Sequence, residues 1–223
     1  MDHRQLLLLL AASLAACAGT TPVTEAPEAN YEVTIERTWS RDTHPLDWPG
    51  DAAHFSPGIG ATHNRSYAMF ASGKIATPGL EVLSQQGLTS PFDGELAAAQ
   101  REGTVGTIFT LRPVRAVGGK STAQFKATDA HPVVSFAAMV APSPDWFTGV
   151  SVVQLKRDGK WIDFETITLY AWDSGTNNAT TYMAPKIAVN PFLPIAVNAA
   201  PMFVRDGKTV PVGSVTIRKV NPQ

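Results

Sequence analysis

An Asp-Gly pair set between two β-prone runs constrains this chain more than any other feature. Phe147 to Leu155 is apolar and rich in β-branched residues, Arg157-Asp158-Gly159-Lys160 is a turn, and Trp161 to Trp172 is rich in Ile, Thr, Phe and Tyr. A two-residue type I′ turn needs positive φ at both central positions, and Asp-Gly meets that need at little cost. The pattern predicts one long hairpin spanning Ala141 to Asn178. With Asp158 and Gly159 as the turn pair, Asp145 falls opposite Trp172, beside Asp173, and Asn177 lies on the loop after Asp173. Three hard oxygen side chains on one sheet rim suggest a calcium site. Ile162 and Phe164 share one phase of the second arm, and Ile167 and Leu169 share the other. That change predicts a β-bulge near Glu165–Thr166.

The remaining residues read as more β-structure. Tyr31, Val33 and Ile35 alternate with polar neighbours as a half-buried first strand. From Ser40 to Arg65 the pattern dissolves into loop, where His44, His54 and His63 invite a zinc reading. Their spacing fits no compact metal motif, so histidines bonding loop backbone are the better expectation. Thr77-Pro78 should cap a short helix ending at Gly87 with Leu80 and Leu83 inward, and Ser90-Pro91-Phe92-Asp93 has the shape of a capping box opening a second through Ala97–Ala99. Both are too short to stand alone and should lie across a sandwich edge or end. Strands resume at Thr104–Val114, Thr122–Thr128 and Val133–Val140. Gly118-Gly119-Lys120-Ser121 lacks the first glycine of a phosphate loop, with Val114 in its place, and reads as a Gly-Gly hairpin turn. Val133–Ala141 is almost continuously apolar, as a central strand would be. Beyond Asn178, prolines at 185, 191, 194 and 201 prevent long regular elements, and Val210–Val220 closes the chain as a strand.

At 223 residues the chain is within reach of one all-β domain. Its 18 Lys and Arg against 19 Asp and Glu give a net charge of −1, which argues against a nucleic-acid partner. The amino end has the form of an export signal: His3 and Arg4 precede the apolar run Leu6 to Ala12, too short to span a bilayer. Leu14-Ala15-Ala16-Cys17 resembles the bacterial lipobox, and Cys17 is the only cysteine, so no disulfide within the chain is possible. Residues 1–16 are expected to be a lipoprotein signal peptide and Cys17 the lipidated first residue, with Cys17 to Asn30 a flexible tether. At about 0.8 kcal/mol per buried CH₂, several acyl chains make a lasting anchor. Ala18 rather than Asp after the cysteine points to the outer membrane of the cell envelope.

Four blocks carry a family resemblance: Thr38 to Pro45 (TWSRDTHP), Ala53 to Asn64 (AHFSPGIGATHN), Pro142 to Trp146 (PSPDW) and Trp172 to Asn177 (WDSGTN). In this order, from about Tyr31 to the carboxyl end, they resemble the spondin amino-terminal domain, the F-spondin-like domain also found in bacterial secreted proteins. The resemblance implies an all-β fold, an antiparallel β-sandwich similar to a C2 domain, over residues 31–223. It also implies a calcium ion held by Asp145, Asp173 and Asn177. The family usually has Asp at the last position, and this chain departs there; an amide oxygen can coordinate calcium, but with one negative charge fewer the affinity should fall.

No Gly-x-Ser-x-Gly elbow, HExxH motif or catalytic cysteine is present, so a non-enzyme is expected. Asp145 and Asp173 as the paired carboxylates of a glycosidase form a distant alternative. An envelope-anchored, calcium-binding adhesion or binding module with a protein or glycan ligand comes first, and a purely structural calcium domain second. Trp146 and Trp172, if exposed, would suit a carbohydrate groove; Trp beside such a loop more often packs to hold it rigid.

Overall fold

The computed structural model describes residues 25–221. The expectations placed on residues 1–16, on Cys17 and on most of the tether lie outside the described residues. The chain is an antiparallel β-sandwich with two short helices. Its strands are β1 (Glu28–Arg37), β2 (His54–His63), β3 (Val105–Leu111), β4 (Lys120–Thr128), β5 (Val133–Ala141), β6 (Trp146–Gln154), β7 (Lys156–Arg157) and β8 (Lys160–Trp161). They continue as β9 (Phe164–Leu169), β10 (Trp172–Asp173), β11 (Ala196–Val197), β12 (Val204–Arg205), β13 (Lys208–Thr209) and β14 (Gly213–Val220), and the helices are α1 (Pro78–Gln86) and α2 (Phe92–Arg101). One sheet runs β4-β1-β14-β9 and the other β11-β10-β6-β5-β2-β3.

The first strand alternates as its sequence demands, with Tyr31, Val33, Ile35 and Arg37 buried and their neighbours half-buried. It begins at Glu28, three residues before Tyr31: Ala29 already faces the core, and the Trp161 indole N–H donates to the Ala26 carbonyl. Strand β5 is buried at all nine positions because both faces are covered. On one side lies the core between the sheets, with Phe136, Phe125, Phe109 and Ile217. On the other, α1 and α2 press Leu80, Leu83, Phe92 and Leu96 onto Ile59, Ala137 and Phe147. The helices therefore cover a sheet face, not an edge or end as expected; two short amphipathic helices bury more on a flat apolar face than on a narrow rim. Thr77 caps α1 by accepting the Leu80 N–H at 3.2 Å, and Gly87 closes it at φ +71°. The capping box at Ser90 does not form: Pro91 stands at the cap and gives no side-chain bond.

Two hairpin expectations need correction, and so does the loop expected from Ser40 to Arg65, where His54–His63 forms β2 between β5 and β3. Gly118–Gly119 does not join paired strands, since β3 and β4 belong to different sheets. It carries the chain across the sandwich, which lets Phe109 and Phe125 stack at 4.9 Å between the sheets. The long hairpin is likewise only partly formed. At its tip Lys156 pairs with Trp161 and Arg157 with Lys160, the register the turn requires, with Asp158 at φ +50° and Gly159 at φ +77°. Beyond Ile162 the second arm leaves β6, and β9 pairs instead with β14 in the opposite sheet. Only Trp172 and Asp173 return to β6. That excursion lets Ile167 and Leu169 join Val150 and Val153 in the core between the sheets. No bulge forms at Glu165–Thr166: β9 pairs with β14 in unbroken register, and Phe164 is exposed, so it does not share a buried phase with Ile162. The irregularity lies in the first arm, where Val152 takes φ +60° and the β5–β6 register shifts.

The tetrapeptide Arg-Asp-Gly-Lys occurs twice. Its second copy, Arg205 to Lys208, also turns a two-strand hairpin with both central residues at positive φ, joining β12 to β13.

Candidate functional site

The two carboxylates meet where β6 begins and β10 ends, though not in the predicted register. Trp172 pairs with Phe147 and Asp173 with Trp146, so Trp172 stands two residues away from Asp145. A two-residue shift preserves the facing of every side chain, which is why the clustering survives it. Asp145 lies instead beside Ser174, whose N–H donates to the Asp145 carbonyl at 3.3 Å.

Asp145 is fully buried. Its Oδ2 accepts from Thr176 N–H at 2.8 Å, Asn177 N–H at 3.0 Å, Ser174 Oγ at 3.0 Å and Thr176 Oγ1 at 3.1 Å. The carboxylate thus gathers the Asp173–Asn177 loop around one oxygen. Its other oxygen, Oδ1, is buried with no hydrogen-bond partner. Burial pushes the Asp145 carboxyl up from its ordinary range, against the pull of the loop's donors.

Asp173 accepts the Gly175 N–H at 2.8 Å, an Asx-turn that fixes the loop's first bend. Burial and then the neighbouring Asp145 charge push its carboxyl up to about 6, while bonds from Gly175 and the Trp146 indole oppose the rise. No Lys, Arg or His is among the hydrogen-bond partners of either carboxylate in the described residues. Two like charges in a poorly solvated place, with one oxygen orphaned, are costly unless a cation or a proton is shared between them.

The third predicted residue sits beside them but faces its own chain. Asn177 Oδ1 accepts from Ala179 N–H at 2.9 Å and from Ile187 N–H at 3.0 Å, so both of its lone-pair directions are taken by backbone. Asn177 therefore braces the return of the chain, while Asp173 and Asn177 both border a cavity of about 450 Å³.

The donor chemistry fits a hard divalent cation in part. Asp145 Oδ1 and the Asp173 carboxylate are suitable ligands, and Asn177 Oδ1 is already engaged. Calcium would need several further oxygens from backbone, water or a ligand. Among the described residues no group of three or more His, Cys, Asp or Glu side chains is disposed to hold a metal.

Sequence reasoning missed Ser174 and Thr176, which hold Asp145, and the helix behind them. Ser84 Oγ of α1 lies 2.9 Å from Ser174 Oγ, and Gln85 Nε2 donates to Thr176 Oγ1 at 3.0 Å. The Ser-Gly-Thr run after Asp173 was the available signal; nothing local tied it to a helix ninety positions earlier. Trp146 is buried among Tyr182 and Phe203 at centroid distances of 5.3 and 5.2 Å, and Trp172 packs edge-on against Phe70 at 5.6 Å. Trp146 offers no exposed stacking face, and Trp172 is half-buried with its ring stacked on Phe147. The three histidines are scattered and structural: His54 and His63 bond the Ala52 and Asn64 carbonyls, each at 2.7 Å, and His44 bonds Thr43 Oγ1 at 2.9 Å.

The sequence model of the Spondin_N family matches residues 29–202, from the first strand to the turn after the cavity. The chain belongs to the Spondin_N family. It is 29% identical to "Spondin-2" of Rattus norvegicus over 176 residues, 78% of this chain and 53% of that protein. Against "Spondin-2" of Homo sapiens it is 29% identical over 166 residues, 73% of this chain and 50% of the relative. Against "Spondin-1" of Mus musculus it is 32% identical over 165 residues, 70% of this chain and 20% of the relative. The chain thus spans about half the length of the spondin-2 proteins and a fifth of spondin-1. No helix among the described residues is long and apolar enough to cross a membrane.

Proposed function

We propose that this Spondin_N domain is a binding module held at the cell envelope by lipid on Cys17, with a calcium ion between Asp145 and Asp173 that rigidifies its ligand-facing end. The orphaned, fully buried Asp145 Oδ1 beside a second carboxylate is the observation that carries the cation reading. A bound cation would replace the mutual repulsion of the two carboxylates with attraction and lock the Asp173–Asn177 loop to β6.

The place where the described residues begin supports the module reading. The described chain starts at the hairpin-tip end, where Ala26 accepts from Trp161 and Tyr31 Oη donates to the Ile162 carbonyl at 2.7 Å. Asp145 lies at the other end of the nine-residue β6, about 30 Å away at roughly 3.3 Å per residue. The eight residues from Cys17 to Thr24 reach at most about 28 Å. A lipid on Cys17 would leave the carboxylate end free to face away from the bilayer, toward an adhesive or soluble partner.

A purely structural calcium site is the second reading. It is favoured by the four bonds that Asp145 Oδ2 already receives from its own loop. Two measurements test the proposal. Melting temperature against calcium concentration should rise for the parent protein, rise at lower calcium for Asn177→Asp and stay flat for Asp173→Ala. The first substitution keeps the brace through one oxygen and frees a second for the ion. Envelope extracts passed over immobilised protein should yield a partner that chelator releases. A calcium-dependent melt without a chelator-sensitive partner favours the structural reading, and a flat melt for all three proteins removes the cation.

A further inference from the structure

We infer that a second copy of this chain pairs along the free edge of β9, antiparallel and centred on Thr166, so that the domain joins to itself. Among the described residues β9 has a strand on one side only, β14, and lies at the end of its sheet. The Lys219 N–H donates to the Asp163 carbonyl at 2.9 Å and the Val212 N–H to the Leu169 carbonyl at 2.8 Å, so odd-numbered residues of β9 turn their backbone groups toward β14. Even-numbered residues alternate with them, and the N–H and C=O of Phe164, Thr166 and Thr168 face outward. Such an edge is a template for another strand. The free edge of β6 is blunted by the break at Val152, whereas β9 contains no proline, lysine or bulge.

The residues along the edge decide which strand fits it. Setting Thr166 opposite Thr166, and Phe164 opposite Thr168 of the other copy, satisfies all the outward groups in six backbone hydrogen bonds about a two-fold axis. Glu165, held by Arg157 Nη2 at 2.8 Å, then faces Ile167 of the other copy. The neighbouring two-fold registers are worse. One sets Glu165 against Glu165, and the other pairs Phe164 with Tyr170, whose carbonyl already accepts from Thr148 Oγ1. The outer face matches as well. Thr122, Thr34, Thr216 and Thr166 stand in one rank across β4, β1, β14 and β9, and the Thr34 and Thr122 hydroxyls lie 3.0 Å apart. On the two-fold axis this rank of cross-strand threonine pairs runs on into the second copy. Phe164, 58% exposed, would be covered there by the other copy's Thr168.

The two-fold axis reverses strand direction, and this fixes what the pair can do. Glu32 stands level with Phe164 through Arg218, so Glu28, where β1 starts, lies six residues from Thr166 along the strand axis. At roughly 3.3 Å per residue the two copies of Glu28 are about 40 Å apart, at opposite ends of the joined sheet. With the lipid proposed on Cys17, that arrangement suits copies held on facing membranes. The carboxylate rim takes no part, so the pairing does not depend on a cation. A join of this size is weak in solution and gains from many copies on a surface.

Sedimentation equilibrium of the full chain carrying Cys17→Ser, which keeps lipid out of the mass, tests the join. The average mass should rise with concentration toward two chains, equally in calcium and in chelator. Thr166→Pro removes two of the six bonds, yet its N–H faces solvent in the single chain. It should weaken association about tenfold or more with little change in melting temperature. Thr166→Lys sets like charges together on the exposed face and should do the same, which covers the case of a proline that disturbs the fold. Oxidative cross-linking with one cysteine per chain reads the register: Phe164→Cys mixed with Thr168→Cys should cross-link, and either alone far less. Vesicles carrying the lipidated parent should cluster, and those carrying Thr166→Pro should not. A single chain at every concentration overturns the inference, as does a dimer that neither Thr166 variant weakens or equal cross-linking by one cysteine variant alone. A chain that stays single but binds acetyl-Val-Thr-Val-Thr-Val-amide overturns it too, because the edge then takes a foreign strand. A dimer in solution that leaves the vesicles dispersed overturns the pairing across facing membranes.

Discussion

The backbone N–H of Asn177 donates to Asp145 Oδ2 at 3.0 Å across 32 positions of sequence, so the third predicted ligand helps hold the first in place. Oδ2 serves the loop and Oδ1 is left over. The two oxygens of one carboxylate therefore have separable jobs, and substitutions at Asp145 can tell them apart.

Asp145→Asn should keep metal-free stability within about 1 kcal/mol, because its amide oxygen still accepts the loop's donors and a buried charge is gone. Asp145→Ala leaves two backbone N–H groups and two hydroxyls without their acceptor and should cost on the order of 3 kcal/mol or more. Both should abolish any calcium-dependent rise in melting temperature. Urea unfolding in chelator checks the first pair of outcomes, and thermal melts with calcium check the last.

Gly159 stands at φ +77° with open space where a Cβ would project, so only the backbone opposes a side chain there. Gly159→Val should cost about 1–2 kcal/mol, and Gly159→Asn much less. Equal stabilities of the two variants in urea unfolding would show that the turn does not depend on its left-handed conformation.

Burial lowers the His44 pKa from 6.5 to about 4, with its ring edge-on to Phe203 at 5.6 Å. The neutral form is favoured in the folded state, so between pH 4 and pH 6.5 the unfolded chain binds more protons. Stability contributed by neutral His44 is full above pH 6.5 and is lost as pH falls toward 4. At about 1.36 kcal/mol per unit, the whole loss is on the order of 3 kcal/mol. Urea midpoints at pH 7 and pH 4.5 should differ for the parent and differ less for His44→Gln.

Cys17→Ser should move the protein from the membrane fraction to the soluble fraction. Unchanged membrane retention on fractionation would overturn the lipid anchor. The same variant should keep its melting temperature, since Cys17 precedes the first strand by eleven residues.

Short-range chemistry in the sequence determined the alternating first strand, the doubly buried β5, the Thr77 cap, the Gly87 stop and the Asp158–Gly159 turn. Each depends on neighbours within a few positions, through side-chain period, a capping hydroxyl or a left-handed glycine. It also brought Asp145 and Asp173 to one rim, because a two-residue register error does not change which way a side chain faces. Which sheet each strand joins was decided only by the tertiary structure. Local alternation reads the same whether β9 pairs with β6 or with β14, and the choice rests on where Ile167 and Leu169 find a common core. Asn177 shows the same division at the scale of one side chain. Its place near the carboxylates was legible, but Oδ1 faces Ala179 and Ile187 because the chain folds back through Ile187, a contact fixed by the proline-broken segment beyond it and by no local pattern.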